Sequence, residues 1–322
     1  MNERAVAVAV ASRDRPLRLR WLLNALLEQT APAEAFEVLV AYEPRSAETA
    51  RLLRSHPLRD RGCLTAVPFP PHSAMPGAGR NAAWRAASAP VILFVDDDCR
   101  PAEDWVHRAV DATNAHPGAI VQGQTLPDPD EAATLTGAPW TRTMEVAPPS
   151  PWAETCNIAY PRRLLERLGG FDERMRVGED TELALRATRA GARLVAAPQL
   201  LVYHAVESCW LPAMVRSQSR WRDLAALVKR HPAVRAQLWG AVWWKREHPA
   251  LLAALTGAAL ASRHRSAALL AAPWLSLQVG HRGYGGRGLL RSVAELPGRA
   301  AIDAAELVAL ARGSIAHRTL IL

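Results

Sequence analysis

Lysine is nearly missing from this 322-residue chain: Lys229 and Lys245 are the two lysines among 39 basic side chains, and arginine supplies the rest. Such a skew reads first as compositional bias, so the formal charge of +8 is weak evidence for any partner by itself. Cysteine is scarce too. Cys63, Cys99, Cys156 and Cys209 stand far apart, with no Cys-x-x-Cys pair and no clustered His/Cys ligands. That spacing argues against a zinc site and a disulfide framework, and fits a reducing compartment. GAGR (77–80) is neither a Gly-x-Gly-x-x-Gly fingerprint nor a phosphate loop, so dinucleotide and ATP cradles find no support there. No apolar run approaches the ~20 residues of a straight membrane-crossing helix. The opening MNERAVAVAVASRDRP has a short apolar run that ends in Arg and Asp, unlike a secretory signal, and a cytoplasmic location is expected.

What is present is a hydrophobic fraction of 49%, enough for a sizeable core. The length suits one large α/β domain with an appendage, or two modest domains. Charge divides the chain unevenly. Residues 1–211 hold 23 basic and 26 acidic side chains, whereas 212–322 hold 16 and 5. A basic C-terminal region of this kind suits an anionic membrane surface or nucleic acid, and no nucleic-acid reader motif accompanies it, so nucleic acid is not expected.

Strand and helix signals alternate through the first part. AVAVAVA (5–11), FEVLVAYE (36–43), LTAV (64–67) and VILFV (91–95) read as strands. RLRWLLNALLEQ and SAETARLLRSH read as helices between them, PFPPHSAMPGAGR as a loop, and NAAWRAAS as a helix start. This order implies βαβ units and a mainly parallel sheet. Ligands gather outside the carboxyl ends of such strands. Ser12–Asp14, Glu43 and the Asp96-Asp97-Asp98 triplet fall there. Residues 117–153 read as irregular, with two strands at most. PRRLLERLGGFDE and GEDTELALRATRAG read as short helices stopped by Gly169-Gly170 and Gly191. ARLVAAPQLLVYH offers two extended segments ending at His204. Beyond 211, SRWRDLAALVKRH is a basic amphipathic helix. Residues 249–261 and 266–279 are apolar stretches separated by Ser-Arg-His-Arg, suited either to a membrane interface or to a small packed subdomain.

Three carboxylates closing a buried strand repel one another, and burial raises their pKa unless a cation intervenes. A divalent ion such as Mg²⁺ or Mn²⁺ answers that need, and could bridge a diphosphate. The competing reading is a solvated acidic turn. Glu179 and Asp180 open a helix, where the dipole favours an ionised carboxylate and so a general base. His204 could complete a metal site through neutral imidazole. Arg80-Asn81 could hold phosphate or ribose oxygens.

Taken in order, these pieces resemble the family 2 glycosyltransferases, which have the GT-A fold. AVAVASRDRPLRLRWLLNAL is similar to that family's opening strand, loop and helix. VLVAYEPRS is similar to its second strand and acidic turn, with Glu43 in place of Asp and Pro44 in place of Gly. GAGRNAAWRAASAPVILFVDDDCRP is similar to its Arg-Asn helix, buried strand and metal-binding DxD. ETCNIAYPRRLLERLGGFDERMRVGEDTELALRATRAGARL is similar to its acceptor-side Asn segment, GGFDE turn and ED helix.

The resemblance covers about residues 5–204 and implies a GT-A catalytic domain over 1–211, with a helical region over 212–322. It implies inverting transfer from a nucleotide-diphosphate sugar, a UDP-sugar by default, to an acceptor hydroxyl. Asp180 would be the base, with Glu179 beside it. Ser12, Arg13, Glu43 and Arg80 would line the nucleotide, Asp97 would face ribose or metal, and Asp96, Asp98 and His204 would hold Mg²⁺ or Mn²⁺. Trp152 and Asn157 would border the acceptor. The composition of the C-terminal region suggests a lipid-linked or cell-envelope glycan acceptor at the inner membrane face. The alternatives are an inactive binding or scaffold protein of the same fold, and a nucleotidyltransferase.

Overall fold

The computed structural model describes residues 4–69, 76–279 and 282–322. Two compact units emerge, one of residues 1–132 with 143–207 and one of 133–142 with 208–322.

The first unit is built on an eight-stranded sheet: β1 (Val6–Ser12), β2 (Phe36–Tyr42), β3 (Leu64–Pro68), β4 (Val91–Val95), β5 (Cys99–Pro101), β6 (Ile120–Pro127), β7 (Asn157–Pro161) and β8 (Leu194–His204). Their order across the sheet is β3-β2-β1-β4-β7-β6-β8-β5. The pairs β2–β3, β1–β2, β1–β4 and β6–β8 are parallel, while β7 runs antiparallel to both neighbours and β5 antiparallel to β8. The sheet is therefore mainly parallel and flanked by helices, the GT-A arrangement.

Apolar runs rather than alternation mark its strands because both faces are covered. Val6, Val8 and Val10 pack with Leu19, Leu22 and Leu26 of the helix Pro16–Leu27 and with Trp105 of the helix Trp105–Ala115. The intervening Ala7 and Ala9 pack on the opposite face with Ala83 and Trp84 of the helix Pro76–Ala86, and with Leu183 of the helix Glu179–Arg189. Period-two alternation of Cβ directions makes both cores from one strand.

Several expectations are revised. GAGR, read as loop, lies inside the helix Pro76–Ala86, while residues 70–75 of that predicted loop lie outside the described residues. The two strands expected within 117–153 are present, as the eight-residue β6, whose Ile120 and Val121 are fully buried, and the two-residue strand Thr141–Arg142. ARLVAAPQLLVYH is one strand with a break in it. Gly123 pairs with Ala197 and Gln124 with Leu201, so three residues of β8 bulge out, beginning at Pro198. Proline has no N–H to give a ladder, which places the bulge there. SRWRDLAALVKRH divides into a 3₁₀ turn over Gln218–Asp223 and a helix over Leu224–Arg230.

The second unit is helical. Its longest element is the 32-residue helix Gly286–His317, with Pro297 inside it. Leu307 of that helix packs with Leu251 of the helix Glu247–Leu260 and with Trp274 of the helix Ala272–Gln278. Among the described residues no helix is long and apolar enough to cross a membrane.

Candidate active site

Register puts the first two polar points together. β1 pairs with β4 so that Ala9 faces Phe94, and three residues further on Ser12 reaches Asp97. The Ser12 hydroxyl donates to Asp97 Oδ2 at 2.7 Å. Asp14 then adopts a left-handed conformation (φ 50°), which short polar side chains tolerate, and the chain turns so that Arg15 points back to the triplet. Its guanidinium donates to Asp98 Oδ2 at 2.6 Å and lies 3.7 Å from both Asp97 and Glu207. One arginine thus serves three carboxylates. Burial, followed by the charge of Asp98, still pushes Asp97 up to about 7, against the pull of Arg15 and Ser12.

The short strand β5 brings in the histidine. Cys99 pairs with His204 across the antiparallel β5–β8 ladder, and the Ala205 N–H donates to the Asp98 carbonyl at 2.9 Å. His204 Nε2 consequently stands 3.5 Å from Asp98 Oδ1. Its Nδ1 lies 2.9 Å from the Ala205 carbonyl, which can only accept, so Nδ1 is the donating nitrogen and Nε2 is the one turned towards Asp98. Ligand atoms of Asp98, Cys99 and His204 all lie within 4.8 Å of one another. Burial holds the Cys99 thiol far above its ordinary pKa, so sulfur is a poor ligand there. The remaining donor set, carboxylate and neutral imidazole, suits Mn²⁺ or Mg²⁺, and the residues present fit such an ion.

Arg80 ties the triplet to the second acidic motif. From the helix Pro76–Ala86 it donates to Asp96 Oδ1 at 2.8 Å and to Glu179 Oε1 at 2.6 Å. Burial pushes Asp96 up, but the charge and hydrogen bond of Arg80 outweigh it and hold Asp96 below the usual carboxylate range. Asp180 behaves oppositely. Burial, then the neighbouring Glu179 charge, raises it to about 8, despite Arg80 and the Thr181 N–H that donates to its Oδ1 at 2.8 Å. The helix dipole was expected to keep this carboxylate ionised at rest; desolvation overrides that effect, which is worth about 1 kcal/mol in an exposed helix turn.

Other expected site residues land differently. Asn157 is buried rather than free to border an acceptor. Its amide donates to the Gln124 and Leu200 carbonyls, at 2.8 and 2.7 Å, and its oxygen accepts from the Trp105 indole at 3.0 Å. It closes the β8 bulge. Asn81 is also fully engaged: it donates to the Phe171 carbonyl and Glu173, and accepts from Trp84 and the Phe171 N–H, holding the GGFDE turn rather than phosphate or ribose. Gly170 is required there, because a Cβ would sit 2.3 Å from Asn81 Oδ1. Ser12 is buried and committed to Asp97, so it orients that carboxylate instead of offering a free hydroxyl to a nucleotide. Arg13 and Glu43 form an ion pair of 2.7 Å at the ends of β1 and β2. Trp152 is half-buried, and its carbonyl accepts from the Thr181 hydroxyl at 2.8 Å, which places it beside Asp180.

Sequence reasoning missed Arg15, Cys99 and Glu207. The signal for Arg15 was available, since three adjacent carboxylates at a strand end call for a nearby cation and the loop SRDRP follows the neighbouring strand. Nothing local marked Glu207, which approaches through β8.

Comparison with known proteins agrees with this architecture. Residues 7–168 match the profile of glycosyl transferase family 2, and residues 91–277 that of glycosyl transferase family group 2. The chain is 30% identical to a pre-mycofactocin glycosyltransferase of Mycobacterium tuberculosis over 186 residues, 55% of this chain and 40% of that protein. It is 26% identical to a validoxylamine A glucosyltransferase of Streptomyces hygroscopicus subsp. jinggangensis over 272 residues, 74% and 63% of the two chains. The chain therefore spans well under two thirds of the first relative and slightly under that share of the second. In fold it resembles a Pyrobaculum calidifontis mannosyltransferase in complex with GDP-Man and Mn²⁺, with TM-score 0.59, 21% identity and coverage of 97% and 88%. It also resembles S. aureus TarS 1-349 in complex with UDP, with TM-score 0.52, 17% identity and coverage of 98% and 92%.

Proposed function

The chain belongs to glycosyltransferase family 2, and from that premise we propose that it moves a sugar from a nucleotide-diphosphate donor to an acceptor hydroxyl, with inversion and with a divalent metal. The observation that carries this reading is the approach of His204 Nε2 to Asp98 Oδ1, 3.5 Å apart, beside two further carboxylates. Asp98 and His204, with Asp96 alongside, would hold Mg²⁺ or Mn²⁺. When bound, the ion would offset the charge of the departing nucleoside diphosphate. The named relatives are sugar transferases, and the Pyrobaculum protein holds GDP-Man with Mn²⁺, while TarS holds UDP; both nucleotides are candidates here.

The chain's own residues divide the remaining work. Ser12 and Arg15 fix the directions of Asp97 and Asp98. Arg13 and Glu43 stand at the strand ends where the base and ribose of a donor would lie. Arg80 locks Glu179, leaving Asp180 as the carboxylate able to take a proton. The acceptor oxygen forms the new bond to the anomeric carbon as the bond to the diphosphate breaks, and the acceptor proton passes to Asp180. A carboxylate with a pKa near neutrality is a stronger base than an ordinary one once ionised. Trp152, anchored to Thr181, would flank the acceptor.

The acceptor class rests on the second unit. The helix Glu247–Leu260 and the segment Arg265–Gln278 expose Leu255, Leu269 and Leu270 at 55%, 74% and 43%, and Arg263 and Arg265 are exposed between them. Leucines flanked by arginines suit the plane of an anionic membrane, and hence a lipid-linked or envelope glycan acceptor. The test of the transfer reading is a screen of nucleotide sugars by thermal shift with and without Mn²⁺. One donor should raise the melting temperature only when the ion is present; no stabilisation by any nucleotide sugar would contradict it.

A further inference from the structure

The second unit contains a cavity of 720 Å³, formed entirely by its own residues. That volume is within the range of small-ligand sites. Its charge is lopsided. Arg220, Lys245, Arg282, Arg291 and Arg299 line it, against Glu247 and Asp303. Trp140 and Trp221 add aromatic faces, with Met214 and Ile302 between.

Two of the arginines are held by the backbone frame. Arg282 donates to the Ala138 and Pro139 carbonyls at 2.7 and 2.8 Å, and Arg291 to those of Thr136 and Gly137 at 3.0 and 2.6 Å. Glu295 stands among these two and Arg299, 3.2 Å from Arg282, 3.2 Å from Arg299 and 3.9 Å from Arg291. Lys245 is balanced by Glu306 at 2.8 Å. Arg220 is the outlier. Its guanidinium lies 5.1 Å from the Trp221 ring centre, and its pKa is lowered chiefly by burial and then by the charge of Arg142, with Glu306 pulling the other way. Arg299 in turn lies 6.0 Å from the Trp140 ring centre. Arg282 and Arg291 spend their forks on backbone carbonyls and Glu295 and so lend the cavity charge rather than donors; with Arg220 against an aromatic face, the net positive field and aromatic walls match a phosphate-type oxyanion joined to an apolar body.

We propose that this cavity is a second ligand site, separate from the carboxylate cluster of the first unit, and that it binds a phosphate or diphosphate group carried on an organic body. Arg220 supplies the principal unbalanced charge, and Trp140 and Trp221 receive the body. The inference stands independently of the transfer reaction, because it uses no residue of the proposed catalytic cluster.

Calorimetric titration of the full chain in EDTA tests it, with inorganic pyrophosphate, geranyl diphosphate and geraniol as probes. Both diphosphates should bind and geraniol should not. Arg220→Gln should weaken diphosphate binding at least about tenfold, the loss expected for one charge-assisted contact, with Arg220→Lys nearer the wild type. Circular dichroism checks that each variant is folded. Asp98→Ala should bind as the wild type does, which separates this site from the catalytic one. Tighter binding of geranyl diphosphate than pyrophosphate would assign the site to a lipid-borne group, and equal binding to a free diphosphate. Undiminished binding by folded Arg220→Gln, saturable binding of geraniol alone, or no diphosphate binding by the wild type would overturn the proposal.

Discussion

At the scale of single residues, the candidate site is governed by two acids that desolvation has moved in the same direction. Asp97 at about 7 and Asp180 at about 8 are protonated more readily in the folded chain than in the unfolded one. The stability each contributes is therefore full below its unfolded pKa near 4 and is lost as pH rises through its folded value. Asp180→Asn removes one of those titrations while keeping the shape. Its melting temperature relative to the wild type should climb between pH 5 and pH 8 in EDTA; a flat difference would mean that Asp180 is not desolvated. The same substitution should leave donor binding intact and lower turnover by about a hundredfold or more, the range of general-base contributions. Normal turnover would move the base elsewhere. In the wild type, turnover should rise with pH up to about 8 as Asp180 loses its proton.

At the scale of elements, the site depends on an irregularity in the sheet. The bulge between β6 and β8 is stitched by Asn157, and Gly123 leaves room for it: a Cβ there would lie 2.3 Å from both Asn157 Nδ2 and the Leu200 carbonyl. Asn157→Ala removes three hydrogen bonds from a buried site and should destabilise the chain by about 3 kcal/mol. Urea unfolding measures it, and a loss below about 1 kcal/mol would contradict the structural role. The sequence exposes such elements unequally. β1, β2 and β4 are apolar runs bounded by polar turns, and so are legible from periodicity alone. β6 is interrupted by Gln122, Gly123 and Gln124; the Gln122 side chain accepts from the Ser150 N–H and Gly123 makes room for the bulge, and the apolar pattern dissolves there. β5 has three residues, and its existence depends wholly on β8. The carboxylates were readable because charge at the end of a buried strand is anomalous. The need for a counter-cation was readable in the same way, but which arginine of SRDRP meets it was not, because the left-handed turn at Asp14 aims Arg15.

At the scale of the molecule, charge and fold divide along the chain in the same way. The acidic chemistry lies in the sheet-bearing unit, and the basic excess in the helical one. With exposed leucines between arginines, the full chain should sediment with anionic phospholipid vesicles in low salt and be released by high salt. Leu269→Asp with Leu270→Asp should reduce the bound fraction, and sedimentation unaffected by both salt and this pair would rule out the interfacial role. The central claim concerns the other unit, where clustered acids hold an ion that grips a diphosphate. Its most direct test is calorimetric titration of Mn²⁺ into the wild type and into Asp98→Ala, each with and without the donor found by thermal shift. The account predicts Mn²⁺ binding that strengthens with donor in the wild type and disappears in the variant. Equal Mn²⁺ affinity in the two proteins would contradict it.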